Sequence, residues 1–90
     1  MVETTTAFAV APDGSPGRKI LIADDRKGHL EARNPETGLL LAAAQILRQG
    51  KYVTGWAVAS AIEQNPMCVD NKKQAYLLLR KLAGKHRASA

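Results

Sequence analysis

The residues best able to do chemistry sit in "GRKILIADDRKGHL", residues 17–30, where the apolar run "KILIA" ends in the acidic pair Asp24-Asp25. Two carboxylates at the end of a strand can hold a cation, or they can bond their own backbone and simply turn the chain. The other candidates are sparse. His29 and His86 fall on a loop edge and in the tail, with no third ligand spaced for a metal. Glu31 and Glu36 read as a strand-face carboxylate and a first-turn carboxylate, and no glycine-rich phosphate loop precedes a helix. Cys68 is the sole cysteine, so it forms no internal disulfide and belongs to no cysteine cluster. It reads as a small buried apolar residue in a reducing, cytoplasmic setting. The chemistry of an enzyme is missing, and no cofactor is implied.

Charge is more informative. Residues 1–65 hold seven Lys/Arg and seven Asp/Glu, whereas residues 66–90 hold six Lys/Arg against Asp70 alone, which accounts for the whole +5. A neutral body with a basic end points to a polyanion as partner. No cationic leader opens the chain, and "LLLAAAQIL" is far shorter than the roughly 20 residues that span a bilayer. A membrane is therefore not an expected partner.

The elements that must position these groups follow from pattern. Ninety residues allow one small domain, with aliphatic rather than aromatic filling, since aromatics are only 4%. Residues 1–17, with a Thr triplet and "APDGSPG", read as a flexible tail ahead of a domain over 18–87. "KILIA" and "HLEAR" read as a hairpin with Ile20, Ile22, Leu30 and Ala32 inward and Glu31 and Arg33 outward. Asp24 to Gly28 supply its turn.

Three helices are then expected. Asn34-Pro35-Glu36 looks like a helix start for "PETGLLLAAAQILRQ", with Gly50 as terminator. "YVTGWAVASAIEQNP" suggests a second helix capped by Thr54, with Val58, Ala61 and Ile62 inward and Trp56 a partly buried packing residue in its first turn. A third helix starts at Asp70 or Asn71, with Asn71 and Gln74 at capping-box spacing and Ala75, Leu78, Leu79 and Leu82 as its buried stripe. Its opposite face centres on Lys73, Leu77 and Arg80, flanked by Tyr76 and Lys81.

Two resemblances bear on function. The strand and acidic pair are similar to the start of bacterial response-regulator receiver domains, where such a pair holds magnesium beside a phosphorylated aspartate. The similarity covers about nine residues. The chain after Gly17 is too short for that fold, and the only later aspartate, Asp70, precedes a helical pattern. "ADDRKG" is therefore expected to be a turn.

Residues 39–86 resemble a winged helix-turn-helix DNA-binding domain, through "YVTGWAVASAI" as positioning segment and "NKKQAYLLLRKLAGKH" as recognition helix. That resemblance implies an α+β fold, a β-hairpin followed by a tri-helical helix-turn-helix bundle with a disordered N-terminal tail. It places Lys72, Lys73, Tyr76, Leu77 and Arg80 toward a DNA groove, Arg80 as a base reader. Lys72, Lys73, Lys81, Lys85 and Arg87 suit phosphates. The expected function is a DNA-binding transcriptional regulator or accessory factor of bacterial or phage/plasmid type, acting on double-stranded DNA as a homodimer. The competing expectation is an adaptor or inhibitor that grips an acidic protein surface through the same basic helix.

Overall fold

The computed structural model describes residues 2–11, 13–61 and 65–85. Among these residues six strands run in chain order, β1 (Glu3–Val10), β2 (Pro16–Asp24), β3 (His29–Arg33), β4 (Leu40–Gln49), β5 (Tyr52–Ser60) and β6 (Met67–Val69), followed by one helix, α1 (Lys72–Lys85). The strands form a single six-stranded sheet in which each pairs antiparallel with the next. The tri-helical bundle and the winged helix-turn-helix are thereby overturned: two of the three expected helices are strands.

The hairpin of β2 and β3 has the expected facing, with Ile22 opposite Ala32 and Asp24 opposite Leu30. Ile20, Ile22, Leu30 and Ala32 are all buried. Its turn is closed by the acidic pair. Asp24 Oδ1 accepts from the Arg26 amide at 2.8 Å, and Asp25 Oδ1 accepts from the amides of Lys27 and His29 at 2.7 and 3.0 Å. Aspartates that bond the backbone two residues on are turn formers, so "ADDRKG" is a turn.

The stretch taken for a tail contains β1, whose β-branched and aromatic residues suit a strand. Thr5 lies opposite Ile22 and Ala7 opposite Ile20. The punctuated "DGS" segment closes the β1–β2 hairpin, with the Ala11 amide donating to the Ser15 carbonyl at 2.9 Å.

The supposed first helix makes its cap but goes no further. Asn34 Oδ1 accepts from the amides of Glu36 and Thr37 at 2.8 and 3.2 Å. Gly38 then takes a positive φ of 74° and donates to the Asn34 carbonyl, ending the turn after a single circuit. Leu40 onward extends as β4. Gly50-Lys51 alone joins β4 to β5, with Gln49 opposite Tyr52. Gly50 has φ 61° and Lys51 no positive φ, which fits a type II′ hairpin turn with glycine first. Gly50 is thus a hairpin residue rather than a helix terminator.

The second expected helix is β5. Val58 faces Ala44 across the ladder and Trp56 faces Ile46. Trp56 is only 5% exposed, so it packs in a strand rather than in a helical turn. Ile62 lies outside the described residues.

One face of the sheet carries α1. Leu79, Leu82, Ala75 and Ala83 of the helix are buried against Ala9, Ile20, Ile22, Leu30, Leu41, Ala44, Trp56 and Val58. The helix touches the edge strand β1 and strand β5 more extensively than β2 or β3, so the sheet curls around it. The other face is open. There Glu31 pairs with Arg33 at 2.5 Å and His29 at 3.1 Å, on the outward side the alternation assigned. Cys68 is exposed in β6, not buried as its residue type suggested.

Candidate nucleic-acid interface

The helix at the basic end of the chain forms as its pattern implies. The Asn71 side chain accepts from the Gln74 amide at 2.9 Å, while the Gln74 side chain accepts from the Asp70 amide at 3.0 Å. This reciprocal capping satisfies two otherwise orphaned donors and starts the helix at Lys72. Its Ala75, Leu79, Leu82, Ala83 stripe then dictates which side chains face away from the core.

The cations do not form one uniform ridge, because the curled sheet rises beside one flank of the helix. On that flank Arg80 is half-buried and its Nε donates to the Phe8 carbonyl of β1 at 2.7 Å. Tyr76 is half-buried and packs against the core. A turn further on, a Cβ added to Gly84 would overlap the Val10 carbonyl oxygen, so helix and strand approach as closely as glycine permits. Arg80 therefore ties β1 to α1 through its Nε.

Outward from that contact the side chains are free. Lys73, Lys81 and Lys85 are exposed, and none makes an ion pair among the described residues. Leu77 lies between them and is 45% exposed. Spacing of four residues carries Lys73, Leu77, Lys81 and Lys85 along the helix as one drifting stripe, about 18 Å long at the rise of an α-helix. Lys73, Tyr76, Leu77 and Arg80 also line a shallow, largely apolar recess of about 360 Å³. Arg87 lies outside the described residues.

Lys72 belongs to a different environment. Its ammonium bonds Asp24 Oδ2 at 2.6 Å, linking the first turn of the helix to the end of β2. That bond holds the Asp24 carboxyl below the usual carboxylate range, against the opposing pull of partial burial. Glu3 similarly pairs with Arg26, whose guanidinium is pushed above its ordinary value by that carboxylate.

Around these pairs opens a recess of about 480 Å³, walled by Ile46 and Trp56 with Lys27 and Arg48 at its rim. Glu3 and Asp24 are already neutralised there, which leaves Lys27 and Arg48 as its unpaired charges among the described residues. Sequence reasoning missed this second basic locus. Arg48 is brought to the "DDRKG" loop only by β4 being a strand beside β3, and the signal for that was Gly50-Lys51 as a hairpin turn.

Among the described residues no group of three His, Cys, Asp or Glu side chains is placed to hold a metal ion. No helix among them is long and apolar enough to cross a membrane. Compared with protein families, curated proteins and solved structures, the chain matches none.

Proposed function

We propose that this protein is a small cytoplasmic DNA-binding accessory factor that grips the phosphate backbone of double-stranded DNA through the free flank of α1. The observation that carries the reading is the set Lys73, Lys81 and Lys85, exposed on one side of a sheet-backed helix and unpaired with any described carboxylate. Of the carboxylates near the start of the helix and its flanking loop, Asp24 is held by Lys72 and Glu3 by Arg26. An α-helix fits the major groove, and lysines act there as point charges on phosphates. The described cations of this flank are all lysines, so binding is expected to depend little on base sequence.

Titrating labelled duplex DNA at several salt concentrations tests the proposal. Three phosphate contacts give a log–log slope of about −3, and each Lys→Ala change at positions 73, 81 or 85 reduces it by about one. Absence of binding at low salt would refute it.

A second reading is favoured by Leu77, a large apolar side chain exposed in the middle of the lysine stripe. An acidic protein surface with an apolar centre would suit that arrangement. Leu77→Ala separates the two: it should leave DNA affinity almost unchanged but remove an adaptor's central anchor.

A further inference from the structure

Among the described residues, β1 forms an open edge of the sheet. Along this strand the carbonyls alternate. The Ala9 carbonyl points to Gly17 of β2, whereas those of Phe8 and Val10 point away, to Arg80 and Gly84 of α1. By the same alternation the N–H and C=O groups of Thr4 and Thr6 point away from β2, and no other described group bonds them. The helix thus shields Phe8 to Val10 and leaves the edge bare from Val2 to Ala7. Exposed edges are usually blunted by lysine, proline, a bulge or shortness. β6, at the opposite edge, has three residues and is blunted by shortness. The open part of β1, "ETTTA", carries no lysine or proline, and its register shift comes only between Phe8 and Val10.

We infer that β1 pairs antiparallel with β1 of a second copy, about a two-fold axis through Thr5. In this register Thr4 lies opposite the second copy's Thr6, and the two exchange both backbone hydrogen bonds. Val2 lies opposite Phe8, and both face the side of the sheet away from α1. These are two of the exposed large apolar residues of the monomer, at 59% and 49%, and each would cover the other twice in the dimer. The single carboxylate of the strand, Glu3, lies opposite Ala7, so no like charges meet. An axis through Thr6 instead would bring two helix-engaged carbonyls, those of Phe8 and Val10, into the pairing, where the axis through Thr5 meets only that of Phe8 at its outer end. The fit is isologous, as a closed dimer requires. It involves none of Lys73, Lys81 and Lys85 and stands independently of the DNA reading.

Sedimentation of the full chain from micromolar to millimolar concentration tests the pairing. The expected result is a shift from one-chain to two-chain mass. Thr5→Lys, at a position exposed in the monomer, opposes two ammonium groups across the axis and should leave one-chain mass with an unchanged circular dichroism spectrum. In a Cys68→Ser background, Thr5→Cys places two thiols at a non-hydrogen-bonded pair, where Cα atoms lie about 4.5 Å apart and a disulfide forms readily. Mild oxidation should cross-link that variant, while Thr6→Cys in the same background should not cross-link. One-chain mass at every concentration, two-chain mass for Thr5→Lys, or cross-linking of Thr6→Cys in preference to Thr5→Cys would each overturn the inference.

Discussion

The two flanks of α1 carry similar residue types and do different work. On the β1 side, Arg80 is held to the Phe8 carbonyl and Gly84 lies against Val10. On the solvent side, Lys73, Lys81 and Lys85 have no partner among the described residues. A cation's value for binding is set by what the sheet leaves uncommitted, not by how many basic residues a helix contains. Helical periodicity separates the buried stripe from everything else, but it cannot distinguish a flank that meets a neighbouring strand from one that meets water.

The largest effect expected from breaking this contrast is at Gly84. In an exposed helix interior Gly→Ala adds up to about 1 kcal/mol of stability through propensity. Beside β1 the sign should reverse, with Gly84→Ala costing about 2 to 3 kcal/mol as helix and strand are forced apart, read from the midpoint of urea unfolding. Arg80→Ala comes next, at about 1 to 2 kcal/mol for a charged hydrogen bond to a strand carbonyl, with the salt slope of DNA binding unchanged. A lost slope without lost stability would move Arg80 to the free flank.

Asp24→Asn should cost less, no more than about 1 kcal/mol near neutral pH, because Lys72 is half-exposed and the pair is screened. Its pH dependence has a definite sign. The folded carboxyl titrates below its ordinary value of 3.8, so the unfolded chain binds the proton first. Its stabilisation is present above that value and is lost as pH falls through the lower folded pKa. Acid unfolding of Asp24→Asn should therefore lack this component. The smallest stability effect, within about 0.5 kcal/mol, is expected for Lys81→Ala, together with weaker binding to every DNA sequence alike.

How much of this was legible in the sequence differs from element to element. The β2–β3 hairpin and α1 were readable because turn chemistry, facing and caps agreed with one another. β4 was not. "LLAAAQILRQ" is made of good helix formers, and its outward positions include Ala43, so the alternation of a strand is masked by small apolar residues on both faces. Its position between β3 and β5 outweighs propensity. The Asn34 cap was identified correctly but its reach was not, since a cap does not show that Gly38 will end the turn four residues on. Of the candidate binding residues, the lysines of the free flank followed from periodicity. The commitments of Lys72 and Arg80 depended on contacts with β2 and β1, far away in sequence, and no local pattern announces them.

The place of α1 after every strand also governs how the chain acquires its structure. Each hairpin of the meander joins neighbours in sequence and can zip as it is synthesised. The greasy underside that these hairpins create has no lid until residues 75–83 arrive to supply Ala75, Leu79, Leu82 and Ala83. Nascent chains caught in that interval present a sticky sheet to one another. A ribosome stalled before the last stripe of leucines should yield aggregate rather than a smaller soluble domain.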